Sequence, residues 1–429
     1  MKGILISADR SNSGKTTISL ALMKILSKNS KVRGYKVGPD FIDPKFHELA
    51  TGYPSINLDY FISGDMIKDY FLRYGNGFDY GIVEGVMGLY DGLGGDFSTF
   101  HISNYLGLPI VLVIDCGYSS TTASAIIHGL KYFGNADIRG VIFNNVASKS
   151  HHDDCAIKLP PGVIDLGYIK HDNEINIKSR HLGLYLPDSS TVEKIKRASD
   201  LVEEQIDINL LTSIMEDFET MENKDNTLLD SQDKPKAAIA LDDAFSFYYT
   251  SNLDLIRQHY RIEFFSPLRN EVVEDAQLIY IGGGYPELFP KYLHDSQKTI
   301  SWLKNKSENE IPIIAECGGL MYLSKTIEIG NNSYDMAGIF NAEISMNSSL
   351  TIGYTELEAE HENILVRKNT KIKGHEFHKS KVSSYNENTV FRNIRGKGLG
   401  DGRDGMLYKN TLATYSHFIF SGNENFLIQ

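Results

Sequence analysis

A lone cysteine at the end of a largely apolar run is the first residue whose setting suggests chemistry. Cys317 follows residues 311–316, and Gly318 and Gly319 come directly after it. In α/β enzymes this pattern is typical of a nucleophile at the sharp turn between a buried strand and a helix. The start of the helix would lower the pKa of the thiol and offer backbone N–H groups to an oxyanion. We therefore predict that Cys317 is a catalytic nucleophile and that the Gly318 N–H lines an oxyanion hole.

A phosphate-binding loop near the N-terminus is the second candidate. The segment DRSNSGKTT matches the end of the pattern G-x-x-x-x-G-K-[ST], although Asp9 replaces the first glycine. A strand is expected before the loop and a helix after it, which is the context that the motif requires. Lys15 would neutralise terminal phosphates, and Thr16 would reach Mg²⁺. An ordinary Gly-Lys-Thr turn is the structural alternative. The residues predicted to bind ATP are Ser11, Ser13, Gly14, Lys15, Thr16 and Thr17.

Two further clusters place carboxylates where predicted strands end. Lys36, Asp40 and Asp43 lie in a proline-containing segment at a strand end, where open α/β sheets bind ligands. They could hold a metal ion and a phosphoryl group, although a loop with capping aspartates would have the same sequence. Glu84 stands in the position where P-loop enzymes keep a metal-binding carboxylate. We expect Glu84 and Thr16 to bind Mg²⁺ and Lys36 and Asp43 to contact the substrate.

The length and net charge of the chain limit the number of domains and the kinds of binding partner. At 429 residues the chain is long enough for two domains, each of roughly 200 residues. The net charge of −12 argues against nucleic acid or an anionic membrane as the main partner. An anionic substrate would therefore need local cations. Arg180 and His181 form the best candidate pair, although a solvated surface pair or a helix C-cap explains them equally well.

Cysteine usage and the N-terminus indicate the compartment. Cys116, Cys155 and Cys317 are scattered without C-x-x-C spacing, so neither a disulfide framework nor a structural zinc site is supported. The N-terminal segment MKGILISADR has too few apolar residues for a signal peptide, and the longest apolar run, residues 108–114, is too short for a membrane span. We expect a cytoplasmic protein.

Alternation of β-branched runs with helical segments predicts an α/β fold. Apolar runs with little polar alternation indicate strands covered on both faces, and hence a parallel sheet flanked by helices. The expected strands of the first half are 3–7, 32–37, 80–84, 110–115 and 141–144. We assign residues 1–190 to a P-loop ATP-binding domain, 191–236 to a helix and an acidic linker, and 237–429 to a second α/β domain.

A thiol nucleophile needs a base, and three histidines compete for that role. His417 follows a predicted strand, whereas His375 and His378 lie in the segment GHEFHKS. Spacing alone favours none of them. The run 282–284 consists of glycines after a predicted strand, so its backbone could turn N–H groups toward an oxyanion. Gly284 is the candidate donor there, with a flexible turn as the alternative.

The blocks taken together closely resemble the cobyrinic acid a,c-diamide synthases, glutamine-dependent ligases of cobalamin biosynthesis. The resemblance extends over nearly the whole chain and rests on ADRSNSGKTT, KVGPDFIDPKFH, NLDYF, VEGVMGLYDG, SRHLGL, DDAFSFYYTSNLDL, FFSPL, GGGYPELF, AECGGLMYL, GHEFHKS and ATYSH, in that order. It implies an N-terminal domain similar to dethiobiotin synthetase and a C-terminal class I glutamine amidotransferase-like domain. It also implies that His417 is the base, that Asp40 and Glu84 lie near Mg²⁺, and that Asn144 faces the adenine.

Two departures from the family pattern concern the sites. The segment 146–167 looks short, and the usual C-terminal H-x-H motif appears as His417-Phe418-Ile419. No glutamate stands two residues after His417, unlike in many glutamine amidotransferases. We therefore expect a Cys-His dyad and modest glutaminase activity.

The implied activity is ATP- and glutamine-dependent amidation of the a and c acetate carboxylates of cobyrinate, with Mg²⁺ as cofactor. Sibling ligases that act on nickel-sirohydrochlorin or hydrogenobyrinate have nearly the same motifs and stay open as alternatives, as do the order of amidation and the oligomeric state, for which a homodimer is one option. Cobyric acid synthase fits less well because of the KVGPD segment. A partitioning-type switch ATPase is a non-ligase alternative, because Arg10 stands where such proteins carry an extra lysine, but it would lack the thiol site.

Overall fold

The computed structural model describes residues 1–172, 174–175, 189–221 and 233–420. The chain divides into two compact units, Met1–Asn223 and Lys224–Gln429. In the described part of the chain, no helix has both the length and the apolar character needed to cross a membrane.

The first unit is built on a sheet that has eight strands among the described residues. The strands are β1 (Lys2–Ala8), β2 (Val32–Val37), β3 (Ile56–Leu58), β4 (Tyr80–Glu84), β5 (Ile110–Asp115), β6 (Ile138–Val146), β7 (Ile164–Lys170) and β8 (Glu216–Asp217). The helices are α1 (Lys15–Leu26), α2 (Asp43–Thr51), α3 (Tyr60–Ser63), α4 (Met66–Tyr74), α5 (Thr99–Leu106), α6 (Thr122–Phe133), α7 (Lys149–Cys155), α8 (Ser189–Gln205) and α9 (Ile208–Ser213).

The order of the strands brings the predicted nucleotide-binding loops to one edge of the sheet. The order is β3-β2-β4-β1-β5-β6-β7, all parallel, and β8 joins the start of β1 in the antiparallel sense. Strands β1, β4 and β5 are almost wholly buried, as expected for strands covered on both faces. The predicted parallel sheet is confirmed, and the loops after β1, β2 and β4 lie side by side at its carboxyl edge.

The described part of the segment 191–236 makes contacts within the first unit. Helix α8 packs against α1, and β8 pairs with β1. The assignment of 1–190, 191–236 and 237–429 to two domains joined by a helix and an acidic linker stays a prediction.

The second unit carries a mixed sheet of ten strands among the described residues. Its strands, together with those of two smaller sheets, are β9 (Lys236–Ala240), β10 (Phe245–Phe247), β11 (Arg261–Phe265), β12 (Ala276–Ile281), β13 (Gly283–Gly284), β14 (Ile313–Glu316), β15 (Thr326–Ile329), β16 (Asn332–Asp335), β17 (Ala342–Ser345), β18 (Thr351–Ala359), β19 (Lys371–His378), β20 (Lys381–Tyr385), β21 (Asn388–Arg395), β22 (Arg403–Tyr408), β23 (Thr411–Thr414) and β24 (His417–Phe418). The helices are α10 (Thr250–His259), α11 (Pro290–Asp295), α12 (Gln297–Glu308) and α13 (Gly318–Leu323), and 3₁₀ turns cover Pro267–Arg269 and Pro286–Leu288.

The large sheet combines a parallel and an antiparallel half. Its order is β11-β9-β12-β14-β23-β22-β21-β18-β19-β24, and the first five strands are parallel. Side chains of β9, β12 and β14 alternate between two hydrophobic clusters, one on each face, as the two-residue period of a strand requires. Because β14 and β23 are parallel neighbours, the residues that follow them, Cys317 and 415–417, meet at the same end of the sheet.

Candidate active sites

The first candidate site is the loop between β1 and α1. Gly14 has a φ of 91°, and a Cβ atom there would lie 2.1 Å from the Asn144 Nδ2 atom, so both backbone conformation and space require glycine. Ser13 Oγ donates to Asp9 Oδ1 (2.7 Å), and Asn144 Nδ2 donates to the Ser13 carbonyl (2.9 Å). Asn144 therefore braces the phosphate loop in this structure, and its contact with adenine stays a prediction.

Glu84, at the end of β4, is the centre of a buried polar cluster beside this loop. Its Oε1 atom accepts hydrogen bonds from Thr16 Oγ1 (2.6 Å), Lys15 Nζ (3.1 Å) and Lys36 Nζ (3.1 Å). His47 Nε2 lies 2.8 Å from the other carboxylate oxygen. The structure thus brings together the residues predicted from three separate segments.

Electrostatic interactions favour the charged forms of Glu84 and Lys36. Burial alone would raise the pKa of Glu84, but the charges of Lys36 and Lys15 hold it well below its ordinary value. Burial would likewise lower the pKa of Lys36, but Asp43 and Glu84 raise it above the usual range. Lys15 differs, since burial and the neighbouring Lys36 charge lower its pKa. The anionic phosphates of a nucleotide would offset that repulsion.

The oxygen atoms near Lys15 suit a magnesium ion. Mg²⁺ is commonly held by one or two protein oxygens together with substrate phosphates and water, and the Thr16 hydroxyl and the Glu84 carboxylate are such donors. Asp40 is placed differently, because its Oδ1 atom accepts from the Ile42 N–H (2.8 Å) and the Asp43 N–H (3.2 Å). That geometry is the capping arrangement considered as the alternative for this segment. In the described part of the chain, no cluster of three or more His, Cys, Asp or Glu side chains is arranged for a metal.

The candidate substrate contacts divide into two groups. Lys36 Nζ and Asp43 Oδ2 form an ion pair with each other (2.7 Å), and their contact with a substrate stays a prediction. Arg180 and His181 lie outside the described residues.

Arg10, which stands where partitioning ATPases carry an extra lysine, forms ion pairs with Asp115 (2.9 Å) and with Asp9 (2.5 Å).

The second candidate site is the turn at Cys317, between β14 and α13. Cys317 has φ 48° and ψ −97°, a strained conformation for a residue with a side chain, and such strain is typical of functional turns. Its N–H donates to the Thr414 carbonyl (2.7 Å), which ties the turn to the end of β23. Cys317 thus lies at a sharp strand-to-helix turn, as predicted from the sequence. Its role as a nucleophile stays a prediction.

The expected lowering of the thiol pKa by this turn is wrong for the resting conformation. Burial raises the pKa of Cys317 well above its ordinary value, the charge of Glu287 adds to the rise, and the Gly318 N–H opposes it more weakly. Helix α13 has only six residues and adds little. The raised pKa favours the thiol form of Cys317, so a base must remove its proton when glutamine is attacked.

His417 lies beside the glycine run 282–284. A Cβ atom on Gly283 would be 3.2 Å from His417 Nε2, and one on Gly318 would be 3.1 Å from the Gly284 nitrogen, so the glycine run lies between the base candidate and the nucleophile turn. His375 stacks on His417 with ring centroids 5.0 Å apart, whereas His378 stacks on Tyr415 (3.9 Å). Of the two competing histidines, His375 therefore contacts the ring of His417 and His378 contacts Tyr415.

Close packing explains the glycine run. A Cβ atom on Gly284 would be 2.0 Å from the Ala244 carbonyl oxygen, and the residue has a φ of 156°. The Gly284 nitrogen and Gly318 lie close together, as required of two oxyanion donors, and their role stays a prediction.

Sequence reasoning missed two buried polar residues at these sites. His47 lies beside Glu84, and its second ring nitrogen is 2.9 Å from Ser55 Oγ. Glu316 Oε2 lies 3.6 Å from His417 Nδ1. The signal for His47 was its place in the block KVGPDFIDPKFH. For Glu316 the signal was a carboxylate in an otherwise apolar strand.

The field of Glu287 at the thiol gives a testable prediction. Burial raises the pKa of Glu287 to about 7. Replacing Glu287 by glutamine removes a negative charge, so the pKa of Cys317 should fall. Alkylation by iodoacetamide above pH 7 should then be about threefold faster than in the unmodified protein. Below that pH the two rates should converge, because Glu287 is then protonated.

The exposed Glu362 supplies the control variant Glu362→Gln. Equal alkylation rates for Glu287→Gln and this control at every pH would contradict the prediction.

Family models match both units. A nucleotide-binding domain model described as CobQ/CobB/MinD/ParA matches residues 4–184, and a model of the CobB/CobQ-like glutamine amidotransferase domain matches residues 236–425. The predicted fold class, a P-loop domain followed by a glutamine amidotransferase domain, is confirmed. The two domains together define an ATP-dependent ligase that takes its nitrogen from glutamine.

Full-length relatives narrow the class to one family. Proteins named cobyrinate a,c-diamide synthase from Sulfurisphaera tokodaii (48% identity, 99% of this chain and 98% of that protein), Saccharolobus solfataricus (49%, 98% and 98%) and Sulfolobus acidocaldarius (46%, 99% and 98%) align with it. The chain belongs to the cobyrinate a,c-diamide synthase family.

Proposed function

We propose that this enzyme converts cobyrinate into cobyrinate a,c-diamide, using ATP and glutamine to amidate the a and c acetate carboxylates in cobalamin biosynthesis. The observation that carries the proposal is the alignment of the whole chain, with both domains, to relatives of that name. The sites of the two units are suited to the two halves of this reaction.

The first unit would activate the carboxylate. A carboxylate is a poor acyl donor because its leaving oxygen is strongly basic, and transfer of the γ-phosphoryl group of ATP to that oxygen gives an acyl phosphate with phosphate as the leaving group. Lys15 and the loop N–H groups would bind and orient the phosphates, and Glu84 would hold Lys15 and Thr16 in place before ATP arrives. Mg²⁺, held by Thr16 and Glu84, would neutralise developing phosphoryl charge.

The second unit would release ammonia from glutamine. His417 takes the thiol proton, and Cys317 Sγ attacks the amide carbon. The proton then passes to the departing ammonia, which leaves a glutamyl thioester. Water hydrolyses the thioester to glutamate and regenerates the thiol. Ammonia attacks the acyl phosphate, expels phosphate and forms the amide, and a second cycle amidates the other acetate.

A cytoplasmic location belongs to the same proposal, and a homodimer is one option for the oligomeric state. The three cysteines are unpaired and buried, which suits a reducing compartment. Light scattering during size-exclusion chromatography would measure the oligomeric state.

The substrate is tested by supplying the purified enzyme with ATP, Mg²⁺, glutamine and one tetrapyrrole at a time. Cobyrinate, hydrogenobyrinate and nickel-sirohydrochlorin are compared, and mass spectrometry counts the amide groups that each product has gained. Two added amides on cobyrinate would support the proposal. Omission of ATP is the control for the activation step, and turnover of the nickel compound alone would refute the assignment in favour of the sibling ligase.

A further inference from the structure

Glu316 and His417 face each other in the interior of the second unit. Their side chains are each 1% exposed, and Glu316 Oε2 is 3.6 Å from His417 Nδ1. We infer that Glu316 is the positioning residue of the glutaminase site, accepting the Nδ1 proton of His417 and so directing the basic Nε2 atom to Cys317. The inference rests on the proposed glutamine-using function and replaces the expected Cys-His dyad with a triad whose acid precedes the nucleophile in the chain.

The orientation of the imidazole ring supports this role. The Cβ position of Gly283 lies 2.5 Å from His417 Cε1 and 3.2 Å from Nε2, so this edge of the ring faces the glycine run beside the nucleophile turn. The Nδ1 atom faces Glu316. A neutral imidazole carries its proton on one nitrogen, and a carboxylate at Nδ1 favours the tautomer in which Nε2 is free to accept a proton. The 3.6 Å separation is longer than a hydrogen bond, so the inferred proton contact requires the two atoms to move closer when substrate binds.

The Glu316 carboxylate is itself held in place. Its Oε1 atom accepts from the Phe418 N–H (3.1 Å), and its Oε2 atom accepts from Tyr280 Oη (2.7 Å). Phe418 is the residue after His417, so the same carboxylate holds the backbone beside the base and lies next to its ring. A group fixed in this way can orient a histidine without reorganising during the reaction.

The ring of His417 also stacks on His375, with centroids 5.0 Å apart, and the Nδ1 atom of His375 lies 3.1 Å from Tyr249 Oη. The Glu316 carboxylate lies within ion-pair distance of the His417 ring. It is therefore placed to stabilise the imidazolium that forms when Cys317 attacks.

The test replaces Glu316 by glutamine, which keeps shape but removes charge. Glutamate release is measured over a range of glutamine concentrations. We expect kcat to fall about 100-fold or more with little change in KM for glutamine.

Matched variants separate positioning from a structural role. Tyr280→Phe removes one hydrogen bond to the same carboxylate but keeps its charge, and Glu316→Asp keeps the charge on a shorter side chain. Both should keep a higher kcat than Glu316→Gln, with KM for glutamine unchanged. Equal losses of kcat in Glu316→Asp and Glu316→Gln, or a rise in KM for glutamine as large as the fall in kcat, would overturn the inference.

Measuring glutamate release also separates the test of Glu316 from the test of the proposed tetrapyrrole substrate. Glutamate release is assayed with and without tetrapyrrole, so a wrong tetrapyrrole leaves the Glu316 result intact. An unmodified enzyme that releases no glutamate under either condition would refute both. The exposed variant Glu362→Gln should match the unmodified enzyme throughout.

Discussion

Replacing Cys317 by alanine is expected to abolish glutamine-dependent amidation while ammonia-dependent amidation persists. Without the sulfur atom no glutamyl thioester forms, so the loss with glutamine should be at least about 1,000-fold. Free ammonia needs only the acyl phosphate, which would form at the Lys15 and Glu84 site in the other compact unit. The rate of diamide formation with each nitrogen donor, followed by mass spectrometry, measures both effects in one preparation.

A second buried cysteine serves as the control for this variant. Cys155 lies at the end of α7 in the first unit, so Cys155→Ala should keep both activities. Equal loss of both activities in Cys317→Ala would show that the thiol supports the structure and does not act on glutamine.

Replacing Lys15 by alanine should remove amidation with either nitrogen donor, by about 100-fold or more, because the activation of the carboxylate precedes both reactions. Calorimetry should show weakened ATP binding, and the product assay with ammonia should show the lost turnover. Glutamate release without tetrapyrrole should persist, since Cys317 and His417 are unchanged.

Lys24 lies on the same helix as Lys15 and is absent from the Glu84 cluster. The Lys24→Ala variant should therefore bind ATP and form product like the unmodified enzyme. Normal turnover of Lys15→Ala with ammonia would exclude the phosphate loop as the activation site.

The strands of the nucleotide-binding unit were predictable because their apolar runs are short and clearly bounded. The expected spans 32–37, 80–84 and 110–115 coincide with the observed strands. The span 141–144 is only the central part of β6, since Arg139 and Asn145 are polar positions in a strand that extends from Ile138 to Val146. The two-residue strand β8 has no pattern to detect, and its place in the sheet comes from pairing with β1.

The chemistry of the sites was only partly predictable. Strand order placed Lys15, Lys36 and Glu84 at one edge, as the position of each at a strand end or loop implied. Glu316 and His417 face each other because β14 pairs in parallel with β23 and the chain turns after β23. Such long-range pairing cannot be deduced from local sequence patterns. The pKa of Cys317 was predicted in the wrong direction because the degree of burial cannot be deduced from a strand-to-helix motif.

The division of the chain into two compact units has an evolutionary consequence. Glu84 and its partners all come from residues before Asn223, and Cys317, His417 and Glu316 all come from residues after Lys224. The two domain models likewise match separate segments. The residues of each site can therefore be inherited together. A gene fusion or a recombination within 222–232 could exchange the glutamine-using domain without altering a residue of the Glu84 cluster. Substitutions that adapt the enzyme to a new acceptor can accumulate in one half while selection preserves the other.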